Sequence, residues 1–300
     1  MTTLLTVAAA SGETQDLFPL LTSVARLLSY LGFVLVVGPT FFLAWLWPRS
    51  SVEWVFIRLF YSGCVLLALA TVGTVVFDAG GSFSDAFTGR SGFAALARLA
   101  VLAVGVGFAW EILGDARRRR IPITVWQLAL TETFVVGSDA WQDPWLVVKV
   151  VATTGHLGAT AAWLGGLLAL AAILVPSVHL EVLHDVLPRF SLIAIVSVIT
   201  LIVTGALHAL AIAGSFSALA GSSYGLVLLV KIIVFGVMLV LGNVGRQYAS
   251  RLAHRPVTEI DESASDQSIR AFAVAVGAEF ALATAVLATT AALVHVAPVS

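Results

Sequence analysis

The stretch TTGHLGATAAWLGGLLAL, residues 153–170, decides the fold class, because nearly every residue in it is compatible with lipid. It lies in an apolar run near 147–174, which exceeds the roughly 20 residues that an α-helix needs to cross the hydrocarbon core of a bilayer. His156 is the exception, since an ionisable side chain in a membrane span carries a desolvation cost. The stretch therefore predicts a transmembrane helix with a functional histidine.

The composition of the whole chain points the same way. Of 300 residues, 59% are hydrophobic and 11% are charged, and the mean hydropathy is +1.01. We predict an all-α, polytopic transmembrane helical bundle of about eight spans. The predicted spans lie near 20–47, 54–77, 92–113, 122–141, 147–174, 190–213, 225–247 and 270–296. The single cysteine, Cys64, excludes a disulfide within the chain and a cysteine-cluster metal site.

The arginines predict the orientation in the membrane. Arg117–Arg120 follow the third span, and further arginines precede the last one, so both segments are expected to face the cytoplasm. Both termini then lie outside. We divide the chain into an N-terminal tail (1–19), a three-span region (20–120) and a five-span region (121–300). The net charge of −1 gives no indication of a nucleic-acid partner.

Polar side chains share single faces of several predicted spans, because residues three, four or seven apart lie on one side of an α-helix. On the sixth span four of them fall within an arc of roughly 80° that ends at His208. The predicted transport path comprises Trp163, Ser197, Thr200, Thr204, Lys231, Met238, Glu279 and Glu132. The alternatives are hydroxyls that bond back to their own helix and a structural ion pair between Lys231 and Glu279.

The histidines supply candidate metal ligands. Neutral imidazole binds copper and zinc well, and the predicted ligands at the outer side are His156, His208, His295 and Asp139. The cytoplasmic loop 176–188 contains His179 and His184, which would form an inner release site. The alternative for that loop is an amphipathic interfacial turn with solvated side chains.

A series of motifs follows in a fixed order from the fifth span onward. In order they are His156, WLGGLL (163–168), PRFS (188–191), Thr204–Gly205, Tyr224–Gly225, Lys231, Glu279 and Pro298. This order resembles the copper resistance protein D (CopD) family of bacterial inner-membrane proteins. The resemblance implies a multi-pass protein of the cytoplasmic membrane that carries copper, with His156 as a ligand and Trp163, Gly165 and Gly166 around it. It also implies a periplasmic copper-binding protein as a partner.

Two positions depart from the family pattern. Family members often have a Gly-His pair at the end of the fourth span, where this chain reads Gly137-Ser138-Asp139. They also often have an acidic residue three positions before the span-five histidine, where this chain has Thr153. Asp139 and His208 are the predicted substitutes for these ligands.

We therefore predict a copper ion transporter, rather than an enzyme, that acts in uptake and copper resistance and is embedded in the lipid bilayer. One alternative is a membrane redox protein that holds haem between paired intramembrane histidines. Another is an accessory or assembly subunit of a membrane complex.

Overall fold

The computed structural model describes residues 2–47, 54–137, 146–174, 180–213, 225–226, 228–240, 277 and 281–282. All regular structure in these ranges is helical. The helices are α1 (Thr2–Trp45), α2 (Trp54–Asp78), α3 (Phe83–Ala86), α4 (Gly89–Gly107), α5 (Ala109–Gly114), α6 (Arg120–Val136), α7 (Leu146–Leu174), α8 (Leu180–Ala213) and α9 (Leu228–Val240). The predicted all-α class is confirmed for this part of the chain.

Four helices are long and apolar enough, by length and composition alone, to cross a membrane. They comprise Leu17–Trp45, Trp54–Asp78, Gly89–Gly107 and Val186–Ala211. Their outer faces carry large apolar side chains, among them Leu69 at 68% exposure and Leu192 at 64%. Such faces suit lipid rather than water. The protein is a multi-pass membrane protein; the count of about eight spans and the outside position of both termini stay predictions.

Helix bounds differ most from the predictions in three places. Helix α8 already includes Leu180, ten residues before the predicted sixth span, so residues 180–188 of the predicted loop 176–188 are helical; their apolar residues recur every three or four positions, as in an α-helix. The predicted third span is divided into α4 and α5 at Phe108, after the sequence Gly105-Val106-Gly107, whose two glycines weaken helix propagation. At the N-terminus α1 begins at Thr2, so its helical backbone extends through the segment that we predicted to be a tail. This segment is rich in Ala and Leu, which favour helix.

Helix α1 packs against both α2 and α7 and so positions the helix that carries His156. Gly38 of α1 and Gly165 of α7 meet backbone to backbone, and a Cβ atom on either would overlap the other. Small residues permit this close approach between membrane helices. On another side of α1, Gln127 of α6 donates hydrogen bonds to Thr40 Oγ1 at 2.8 Å and to the Val37 carbonyl at 3.3 Å.

Candidate metal-binding site

Two histidines face each other between α7 and α8. The ring centroids of His156 and His208 are 5.8 Å apart, and the ring planes are inclined by 50°. Both side chains are half-buried. Gly205 of α8 lies opposite His156, where an added Cβ would be 3.9 Å from the imidazole Cε1 atom. A Cβ at residue 205 would therefore be in van der Waals contact with the ring of His156, and Gly205 leaves that space open.

Each imidazole is hydrogen-bonded to a threonine of the other helix. His156 Nδ1 lies 2.8 Å from Thr204 Oγ1, and His208 Nε2 lies 3.1 Å from Thr153 Oγ1. Thr153 is the residue that stands where the family pattern has an acid. Here its hydroxyl binds one of the two histidines.

A third contact joins α6 to the same turn of α7. Thr154 Oγ1 donates a hydrogen bond of 2.6 Å to Glu132 Oε1. The segment 153–156 thus contacts α6 through one residue and α8 through two others. Sequence reasoning included Glu132 and missed Thr154, because a threonine in a membrane helix most simply bonds to its own backbone. The adjacent threonines Thr153 and Thr154, just before His156, were the feature of the sequence that could have indicated contacts with neighbouring helices.

The polar face predicted for the sixth span comprises Ser197, Thr200, Thr204 and His208, and it lies on α8. Its threonines make two kinds of contact. Thr200 donates to the Val196 carbonyl at 2.8 Å, and Thr204 donates to the Thr200 carbonyl at 2.6 Å. Both bonds stay within α8, as expected from the alternative to a transport path, in which the hydroxyls bond back to their own helix. Thr204 differs from Thr200 because its oxygen is also hydrogen-bonded to His156. Ser197, on the same face of α8, is buried at 5% exposure.

Aromatic and charged residues extend the site along α7 and α9. Trp163 lies seven residues after His156, is 6% exposed, and meets Phe235 of α9 edge to face at 5.8 Å between centroids. Met238 is buried in the same core at 2% exposure. Lys231 of α9 is half-buried.

Several predicted site residues lie outside the described residues. These are Asp139, Glu279, His179 and His295, together with the side chain of His184. Among the residues that the structure does describe, no three His, Cys, Asp or Glu side chains are grouped to hold a metal ion. The described part of the candidate site is therefore the histidine pair with its threonine partners.

Arg98 of α4 makes a half-buried contact that sequence reasoning missed. Its Nε atom donates to Thr133 Oγ1 and its Nη2 atom to the Thr133 carbonyl, both at 3.1 Å. Its Cζ atom lies 3.6 Å from the centroid of the Phe134 ring, a cation–π contact. These bonds hold the last turn of α6 immediately beside Glu132. A lone arginine in the apolar run AALARLAVLAV could have indicated this contact, because a charged side chain within a membrane span needs polar partners.

A family model described as Copper resistance protein D matches residues 184–293. The match spans a little over a third of the chain and includes His208 and Lys231. It begins after α7, so His156 lies outside it. Comparisons with curated proteins and with solved structures gave no match. Residues 184–293 are thus similar to the copper resistance protein D family, which confirms the resemblance drawn from the order of the motifs over this part of the chain.

Proposed function

We propose that this protein transports copper ions across the cytoplasmic membrane, toward the cytoplasm, and holds the ion between His156 and His208 on the way. The observation that supports this most directly is the pair of facing imidazoles, with centroids 5.8 Å apart. Metal–nitrogen bonds to histidine are about 2 Å long, so two rings that share one ion have centroids roughly 5–6 Å apart. The two helices therefore already hold the rings at a suitable separation.

The choice of copper rests on the family and not on the imidazoles. Imidazole suits zinc, copper, iron and nickel, so the pair alone does not distinguish among them. The family model that matches residues 184–293 carries copper resistance in its description, and His208 lies within that match. Asp139 and His295 are the proposed further ligands toward the outer side.

From the histidine pair the proposed path continues toward the cytoplasmic side along the polar faces of the helices. A periplasmic copper-binding protein would deliver the ion, and no enzymatic step is needed. The residues proposed for the path are Glu132, Trp163, Ser197, Thr200, Thr204, Lys231, Met238 and Glu279, with His179 and His184 as the inner release site.

The geometry favours an ion over haem as the occupant of the pair. A haem group held by both histidines would place its macrocycle between the two rings. His156 is hydrogen-bonded to Thr204, and a Cβ at Gly205 would contact its Cε1 atom, so the ring lies close to the helix that carries His208. A macrocycle would require α7 and α8 to separate, whereas a single ion would not.

The test compares the wild type with His156→Ala and His208→Ala in proteoliposomes loaded with a copper-sensitive fluorophore. Bound copper is measured by mass spectrometry on the purified proteins. Ser62→Ala is the control, since Ser62 is exposed on α2 and bonds only to the carbonyl of Leu59. We expect each histidine variant to lose most copper uptake and binding, and Ser62→Ala to match the wild type. Equal uptake by the wild type and His156→Ala would overturn the proposal.

A further inference from the structure

We propose that Thr204 and Thr153 are positioning residues for the two imidazoles: Thr204 fixes Nε2 of His156 as the nitrogen that binds the ion, and Thr153 leaves Nδ1 of His208 available for it. This inference rests on the proposed function, because it assigns roles around the same histidine pair. It follows from the hydrogen-bonding capacity of each threonine hydroxyl.

Thr204 determines the tautomer of His156. Its hydroxyl oxygen lies 2.6 Å from the Thr200 carbonyl oxygen, and a contact this short requires the hydroxyl proton to lie between the two oxygens. A threonine hydroxyl has one proton, so toward His156 Nδ1, at 2.8 Å, the same oxygen can only accept. Nδ1 of His156 therefore carries the proton. In a neutral imidazole the lone pair available for a metal is then on Nε2.

This arrangement is the one that metal-binding histidines generally use. A histidine that binds a metal through one nitrogen donates its other N–H to an oxygen, which fixes both the tautomer and the ring orientation. The peptide backbone of α8 completes the arrangement here, because the Thr200 carbonyl holds the Thr204 hydroxyl in the accepting state. Gly205, the next residue, leaves open the space beside the Cε1 edge of the ring, where a Cβ would lie 3.9 Å away.

Thr153 constrains the tautomer of His208 less strongly than Thr204 constrains that of His156. Its oxygen lies 3.1 Å from Nε2, so the nitrogen of His208 that remains for an ion is Nδ1. An ion at Nδ1 requires the proton to be on Nε2, and Thr153 Oγ1 then accepts a hydrogen bond from Nε2–H. The hydroxyl can also donate to Nε2 when the ring is in its other tautomer, so Thr153 permits the binding form without enforcing it. A carboxylate at residue 153 would only accept and would enforce that form.

The test uses the full-length protein in detergent or nanodiscs, with Cu(I) titrated against a competing chelator. Nitrogen NMR of histidine-labelled, metal-free protein reports the tautomer of each ring. We expect Thr204→Val, which has a similar shape and no acceptor, to mix the tautomers of His156 and to weaken copper binding about tenfold or more. Thr204→Ser should restore both. Thr153→Asp should shift His208 to the Nε2–H form and tighten binding.

Thr160→Val is the matched control. Thr160 lies on the same helix, and its hydroxyl donates to the backbone carbonyl of His156 at 2.7 Å rather than to the imidazole ring. It should leave the ring tautomers and copper affinity unchanged. A Thr204→Val protein with the wild-type tautomer and affinity would overturn the inference while the proposed function stood. If the wild type bound no copper, the proposed function would fail, and the NMR signature would still test the assignment of Thr204.

Discussion

Thr154 of α7 donates a hydrogen bond of 2.6 Å to Glu132 of α6, one residue away from the threonine that binds His208. The carboxylate of α6 and the histidine of α8 are thus both attached to neighbouring residues of one helical turn. This relationship connects α6, which corresponds to the predicted fourth span, to the candidate metal site.

We expect Thr154→Val to lower the free energy of unfolding by about 1 kcal/mol, because the half-buried Glu132 loses a donor. Copper binding should weaken by a smaller factor than in His156→Ala, since the contact supports the α7 turn without touching either ring. Unfolding in a detergent titration and a copper titration on the same samples measure the two effects. A variant as stable as the wild type would contradict this role for the bond.

Arg98 should be more sensitive to a conservative change than an exposed arginine. Arg98→Lys removes the two-pronged hydrogen bonding to Thr133 and most of the stacking on Phe134. We expect a loss of about 1–3 kcal/mol in the free energy of unfolding. Arg58→Lys is the control, since Arg58 is exposed on α2, and it should stay within about 0.5 kcal/mol of the wild type. Equal stability of the two variants would argue against a structural role for Arg98.

The backbone contact between α1 and α7 predicts opposite outcomes for two glycines of the same helix. Gly165→Ala places a Cβ against the backbone of Gly38 and should cost about 1–3 kcal/mol or prevent folding. Gly158→Ala should be neutral or stabilising by about 0.5–1 kcal/mol, because nothing lies within 4 Å of the added Cβ. Thermal unfolding of the two purified variants distinguishes these outcomes. If both behaved alike, α1 and α7 would not be packed as described.

Lys231 should weaken the binding of a cation at the histidine pair, because it is a half-buried cation on α9, whose Phe235 packs against Trp163 of the helix that carries His156. We expect Lys231→Met to tighten copper binding roughly threefold to tenfold, in keeping with an interaction of about 1 kcal/mol between partly solvated charges. Lys231→Arg keeps the charge and serves as the control. Chelator competition measures both affinities, and weaker binding by the methionine variant would instead indicate that Lys231 supports the site.

Hydropathy located most helices of the described chain, because a bilayer imposes a minimum length on each crossing. It did not locate the division at Phe108, which depends on two glycines in an otherwise apolar run. Periodicity placed Thr204 and His208 on one face of α8, and both meet residues of α7. Thr154 and Arg98 were missed because their partners lie on other helices, and one helix's periodicity carries no information on how its neighbours are rotated.

The interlocked glycines have a consequence for how an ion could be released. With no side chain between Gly38 and Gly165, α1 and α7 cannot slide past each other without first separating. His156 therefore lies on a helix that is packed closely against the N-terminal half of the protein. If the two imidazoles separate to release an ion, we therefore expect the displacement to lie in α8, which is in the region matched by the family model, rather than in α7.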